Sequence, residues 1–399
     1  MLLILAGVSI SLILDNNGII KKSKDARREY RQAQANEQAD LSDLSDLIDE
    51  ATAEPTPKVN VNEKATDNST INGKKGNSNN PTIPEGYIPI NTETSSWGDG
   101  TSAPTQDSVD HGLVIKDESD NEWVWIPVPD VTVMCDTANE IEYTLCGTEE
   151  ETAVKTKLYS KSEIIDLKTR TTPGDLNGYH EPDLVIGDDG PSYDTKEEYY
   201  KTVLGFDSKE KMAEAFVTDY SEMIASIKKY GGFYIGRYEL SKEGVQKNQP
   251  TLTNTNWYNL YKKCKSLNAS EKVETRMIWG CQWDVTCDFI ANKGEQKSIR
   301  YSSSWGNYSD STTPANTGNY EKKIKKNTGS NEYWKANNIY DLAGNCFEWT
   351  QEVYSTVSRA YRGSNCLSSG SIYPASDRDG YFGSPDKRRI QRDAVLVPL

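Results

Sequence analysis

Histidine is nearly absent: the 399 residues hold two, His111 and His180, which leaves no histidine-rich metal site. The seven cysteines (135, 146, 264, 281, 287, 346 and 366) never form a CxxC pair, so zinc-ligand spacing is missing too. Their odd number leaves at least one thiol unpaired. Cys135 and Cys146 are placed to bridge a loop in an exported chain, with free thiols as the alternative. Basic surplus is also lacking, since 45 Lys and Arg face 60 Asp and Glu for a net charge of −15. That balance argues against nucleic-acid binding, which needs a basic face. Nor is there a full membrane span at the start. Residues 1–14 are apolar, but a helix needs about 20 residues to cross a bilayer.

What is present is unevenly spread. Residues 1–84 carry 10 basic and 12 acidic residues, a net of −2, so −13 of the −15 lies in 85–399 with all nine tryptophans. The later region is long enough for a large core. After residue 14 the chain passes through Asp15-Asn16-Asn17-Gly18 into a charged helix to about Glu50. Leu41, Leu44, Leu47 and Ile48 form its apolar stripe. Lys21, Lys22, Lys24, Arg27, Arg28 and Arg31 follow the apolar run and oppose export under the positive-inside rule. Residues 51–84 are rich in Thr, Asn, Lys, Pro and Ser and read as a flexible linker.

Beyond the linker, 112–115 and 122–126 read as strands of a hairpin, and 136–206 as a polar insertion. Ser208 caps a helix to about Lys229; a strand follows at 232–238, then helices near 257–267 and 280–291, and 295–335 is loop-rich. Helices set among short strands and long loops indicate an α+β class.

The densest chemistry lies in 338–350. Asp341 and Glu348 flank an Ala343-Gly344-Asn345 turn, while Ile339, Leu342, Phe347 and Trp349 pin it to a core. Two carboxylates and the carbonyls between them, gathered by a glycine turn, are hard oxygen donors of the kind calcium prefers. The alternative is a solvent-facing capped turn.

This stretch resembles the signature near the end of the formylglycine-generating-enzyme (sulfatase-modifying-factor) family, a variant of the C-type-lectin fold. Five further motifs follow the family's order: Trp123-Val124-Trp125-Ile126-Pro127; Gly231-Gly232-Phe233-Tyr234-Ile235-Gly236-Arg237-Tyr238-Glu239; Trp279-Gly280-Cys281-Gln282-Trp283-Asp284; Tyr361-Arg362-Gly363-Ser364; and Ala394-Val395-Leu396-Val397. The resemblance covers roughly 85–399 and implies a lectin-like head. It also implies a structural calcium ion held by the Asp341 side chain, the Gly344 and Cys346 carbonyls and the Glu348 carboxylate. Catalysis is not implied. The family's oxidases use two neighbouring cysteines after the Gly-Ser motif as soft copper ligands, whereas Cys366 stands alone there. No histidine follows His180 for the family's iron branch. No copper is expected, and the chain reads as a non-enzyme.

The first 50 residues resemble the N-terminal helix of type IV pilin-like proteins lacking leader and first helical residues, which would make Met1 an internal start; a signal-anchor is the alternative. The last 47 residues carry another resemblance. From Val353 to Asp386 there is no Lys, Glu, Gln, Met or Trp, the residues that an AAT or AAC codon cannot reach through changes at its adenines. The bias resembles the variable proteins of diversity-generating retroelements; the alternative is an ordinary Ser/Gly-rich loop.

Candidate ligand-binding residues in that tract are Asn365, Ser368, Ile372, Tyr373, Asp377 and Asp379, continuing with Tyr381, Phe382, Ser384, Asp386 and Arg389. Their tyrosines offer rigid contact area and their Ser, Asn and Gly neighbours adaptable polar contacts, all on exposed loops. Arg362, Arg378 and Arg392 read as scaffold ion pairs. The combined expectation is a bacterial or phage binding protein at a cell surface, anchored to a membrane or pilus by its first helix and engaging a protein or glycan; the alternatives are an enzyme of the formylglycine-generating family and a structural pilin-like subunit.

Overall fold

The computed structural model describes residues 55–134, 142–144, 155–157, 198, 200–253, 255, 257–267, 273–313, 323–355, 358–382, 390–391 and 394–398. The N-terminal helix, Cys135, Cys146, His180, Arg392 and most of the 136–206 insertion lie outside these residues. The chain divides into Met1–Pro55 and Thr56–Leu399, so nearly everything described belongs to the second unit. Among the described residues no helix is long and apolar enough to cross a membrane.

The architecture is mixed α and β with mostly antiparallel sheets. Strands β1 (Ile88–Ile90), β2 (Val114–Lys116) and β3 (Glu122–Pro127) form a meander; β4 (Glu142–Thr144) and β5 (Lys155–Lys157) pair separately as a hairpin. β6 (Gly232–Gly236) and β7 (Val273–Met277) join the meander, and β8 (Lys335–Ala336) pairs with β9 (Ile339–Tyr340). The C-terminal part supplies β10 (Phe347–Ser355), β11 (Ser358–Arg362), β12 (Arg378–Phe382), β13 (Ile390–Gln391) and β14 (Ala394–Pro398).

The larger sheet has the order β1-β2-β3-β6-β14-β7, every pair antiparallel. β14 comes from the end of the chain yet sits between β6 and β7, so the C-terminus completes the sheet. The smaller sheet runs β12-β11-β10-β13, with only β10 and β13 parallel.

Four α-helices are described: α1 (Gln106–Asp110), α2 (Lys209–Tyr230), α3 (Trp257–Lys265) and α4 (Gly280–Asn292). Ser208 Oγ accepts the Lys211 amide at 3.3 Å to start α2, and Gly231 ends it at φ 77°, a conformation that glycine adopts without a Cβ penalty. Met212, Phe216, Tyr220, Met223 and Ile227 make the buried stripe of α2, which packs on β6 and β14. α4 touches both β3 and β10, and so ties the two sheets together. Trp123, Val124, Trp125 and Ile126 are buried in succession along β3, as on a strand covered on both faces.

The expected linker needs correcting. Residues 55–84 are not a stalk: Val59, Ala65, Ile71 and Ile83 belong to the main core. Asparagines make its turns. Asn77 Oδ1 accepts the amides of Asn79 and Asn80 at 2.9 Å each, and Asn80 Nδ2 donates to Lys75 O at 3.1 Å. Trp125 Nε1 donates to Ser78 O at 2.9 Å and Tyr234 Oη to Thr82 O at 3.0 Å, so the larger sheet holds this segment directly. Composition misled because Asn and Thr stabilise turns as readily as they populate disorder.

Candidate functional site: a rigid loop above a buried turn

The 338–350 turn is wound by left-handed backbone at Asn337 (φ 46°), Asn338 (66°), Asp341 (57°) and Asn345 (55°). Asparagine and aspartate tolerate this region because their short polar side chains bond nearby backbone. Asn338 Nδ2 donates to Gly112 O at 2.8 Å and His111 O at 3.1 Å. Asn345 Nδ2 donates to Glu239 Oε2 at 2.5 Å, while its Oδ1 accepts from Asn307 Nδ2 and the Lys326 amide at 2.9 Å each. Four separate segments thereby converge on the turn.

Its two carboxylates are buried, Asp341 at 1% and Glu348 at 0% exposure, so the solvent-facing alternative fails. Asp341 Oδ2 accepts from the Gly329 amide at 2.7 Å and Thr328 Oγ1 at 3.0 Å. Glu348 lies against Gly363, where a Cβ would fall 2.3 Å from Glu348 Oε2, so only glycine fits that place. The Gly344 amide donates to Gly363 O at 2.9 Å. Among the described residues, the group of three side chains spaced to hold a metal is elsewhere: Asp219, Glu222 and Glu274. Arg276 pairs with all three, which makes it an ion-pair cluster.

Cys366 is buried, as is Cys346, and the Cys366 amide donates to Asn345 O at 3.1 Å. Chain order hides a neighbour: Cys366 is bonded to the upstream turn and acts electrostatically on the Cys346 thiol there. Burial pushes both thiols above their ordinary values, which disfavours thiolate.

From Gly363 to Asp377 the chain forms a loop fastened from below. Asp310 accepts from Ser369 Oγ at 2.6 Å, the Gly370 amide at 2.8 Å and Ser371 Oγ at 2.9 Å. Burial alone would raise the Asp310 carboxyl, but these donors outweigh it and hold the group below its usual range. Trp283 Nε1 donates to Ala375 O at 3.1 Å, and Ser376 Oγ to Ile299 O at 3.0 Å. Under the loop's C-terminal end, Arg362 pairs with Asp284 at 2.9 Å and Glu352 at 3.9 Å, and Arg378 pairs with Glu352 at 3.1 Å. Arg362 and Arg378 are thus scaffold pairs.

On this fixed backbone three apolar side chains face solvent: Leu367 (50% exposed), Ile372 (44%) and Tyr373 (47%). Asp379 is also exposed and accepts from Tyr361 Oη at 2.9 Å. Several expected binding residues sit differently. Asn365 Oδ1 accepts the Leu367 and Ser368 amides at 2.8 and 3.2 Å, so Asn365 and the half-buried Ser368 shape the loop from within. Asp377 is buried, and burial, then the charge of Asp379, pushes its carboxyl up to about 7. Tyr381 and Phe382 lie on strand β12, paired with β11, and not on a loop. Ser384, Asp386 and Arg389 lie outside the described residues. Sequence reasoning missed Asp310, which belongs to no motif, and Leu367, whose signal was an isolated apolar residue in a polar tract.

No protein-family model matches the chain, and no curated protein does. Nine chains of solved structures match. Among them is Treponema denticola variable protein 1, at 15% identity and a TM-score of 0.27, with the match covering 42% of this chain and 85% of that one. A superposition that loose carries no argument about fold or function, and the molecule stands on its own geometry.

Proposed function

We propose that this chain is a ligand-binding protein whose recognition surface is the rigid loop at 365–379 and the neighbouring strand β12. One observation carries the proposal. Among the described residues five large apolar side chains are exposed, and three of them fall between Leu367 and Tyr373, on backbone fixed by Asp310. Exposed apolar side chains clustered on an ordered loop suit an interaction site, because preorganised contact area costs little entropy on binding.

The finer reading follows from the sequence. The head is a C-type-lectin-like domain of the formylglycine-generating-enzyme type, displayed at a cell surface by an N-terminal anchor or pilin-like helix. Its C-terminal tract is diversified by a retroelement, so that residues 365–389 vary while the turn below stays constant. A structural calcium ion would be held by Asp341, Glu348 and the Gly344 and Cys346 carbonyls; the depth of both carboxylates supports this. Formylglycine-forming activity is absent in this reading, since buried high-pKa thiols make poor copper ligands; copper-dependent oxidation of a substrate cysteine, lost in Cys366→Ser, would refute that.

The test of the binding reading uses the full chain on a glycan array and against a displayed peptide library. A hit should be lost in a Leu367→Ser, Ile372→Ser, Tyr373→Ser triple variant of unchanged Tm. Binding that survives the triple variant would move the site elsewhere.

A further inference from the structure

Helix α4 has two working faces. Trp283 and Cys287 turn toward Ala375 beneath the loop. Val285, Asp288 and Phe289 lie on the opposite face at about 100° per residue, and line a cavity of about 550 Å³. The other walls come from Pro127 at the end of β3 and Val128 and Asp130 just after it, from Ser78 and Asn79, from Gln106 and Asp110 of α1, and from Lys293. The volume lies in the range of small-molecule sites, roughly 300–1,000 Å³.

Its chemistry is one-sided. The floor is apolar, since Val128, Val285 and Phe289 are all buried. Three carboxylates meet one ammonium, and that ammonium is already engaged: Lys293 Nζ lies 3.7 Å from Asp110 Oδ2, which Gln106 Nε2 supports by donating to Asp110 Oδ1 at 2.7 Å. Asp288 also lines the cavity. Its Oδ1 accepts from Asn292 Nδ2 at 2.7 Å, and burial pushes its carboxyl up although Asn292 and the charge of Lys293 oppose the rise. A half-buried carboxylate beside apolar surface is relieved by an incoming cation. An anion would meet net negative charge. An inorganic dication lacks a ligand set, because these carboxylates are not among the described side chains spaced to hold a metal.

We propose that this cavity binds an organic cation, an ammonium or guanidinium group on a short apolar body, with the cation at Asp288 and the body against Val128, Val285 and Phe289. The aromatic wall suits such a ligand, since ring faces attract cations as well as apolar groups. The site lies on the other face of α4 from the loop, and does not depend on the loop's role.

Phenethylammonium and its neutral isostere 2-phenylethanol test the proposal on the full chain, by calorimetry and by methyl resonances. The ammonium should bind saturably and about tenfold more tightly than the alcohol, the scale of one charge-assisted contact. The Val128 and Val285 methyl signals should shift during the titration. Asp288→Asn should reduce the ammonium affinity to that of the alcohol. Equal binding of the two probes to the wild-type chain would show a plain apolar cleft and overturn the proposal, whatever the variant does. So would absence of ammonium binding, shifts confined to other residues, or an Asp288→Asn chain of unchanged Tm that binds the ammonium as the wild type does.

Discussion

Residues 55–84 and 363–377 are built from similar material, Ser, Asn, Gly and Pro with a few apolar residues, and they do opposite things. In the first, Val59, Ala65, Ile71 and Ile83 point into the core. In the second, Leu367, Ile372 and Tyr373 point into solvent. Both are ordered by side-chain-to-backbone hydrogen bonds. Order therefore does not separate them; the direction of the apolar side chains does. An irregular segment that buries its apolar residues is structural; one that holds them exposed is the segment to which the proposed function assigns binding.

The comparison breaks if the first segment proves dispensable. Ile71→Ala should destabilise the fold by about 2–5 kcal/mol, as fully buried aliphatic truncations do. A denaturant midpoint within error of wild type would return 55–84 to the status of a linker.

The second segment can be loaded through pH. Asp377 titrates near 7 when folded and from 3.8 when unfolded, so between those values the folded state keeps a proton that the unfolded state has lost. Stability from this group is complete below the lower value and declines as pH rises through the upper one. Asp377→Asn should therefore raise Tm more at about pH 8 than at about pH 5. A pH-independent difference between the chains would deny the burial of Asp377.

Removing the loop's fastening should cost less. Asp310→Ala takes away the acceptor for three donors at a half-exposed site, a loss of roughly 1 kcal/mol, and should raise hydrogen exchange at Gly370. The folded Asp310 carboxyl is depressed, so its stabilisation is present above the unfolded value and disappears as pH falls through the folded one. The wild-type advantage over Asp310→Ala should therefore shrink in acid. Unchanged exchange at Gly370 would show that other contacts hold the loop.

The smallest stability effect belongs to the exposed patch. Leu367→Ser, Ile372→Ser and Tyr373→Ser should each change stability by about 0.5 kcal/mol or less, since surface substitutions seldom cost more. A large loss of Tm would place these residues inside a contact and remove the contrast with Ile71.

Much of the scaffold was legible in the chain. The Ser208 cap and the apolar stripe after it mark a helix to about Lys229, and its limits are Lys209–Tyr230. The run at 122–126 marks a hairpin strand, and the structure covers it on both faces. The signature at 338–350 marks a turn packed into the core, with Asp341 and Glu348 both buried. The loop was harder to read. Asn365 and Asp377 have paratope-like chemistry, yet one shapes the loop and the other is buried beside Arg362. Side-chain type states what a residue is able to contact and not which way it faces.

The sequence by itself determined the local elements, because caps, left-handed Asn positions and apolar periodicity act within a few residues of where they stand. The shortage of histidine and the acidic balance are likewise properties of the sequence alone. Tertiary structure alone decided that β14 enters between β6 and β7, that Asp310 fastens Ser369 to Ser371 across about 60 residues of chain, and that Cys366 bonds to the turn that carries Cys346. It also decided which apolar residues of two similar segments meet water. Those outcomes depend on contacts between residues far apart in the chain, and no local pattern records them, because burial is a property of the packed whole.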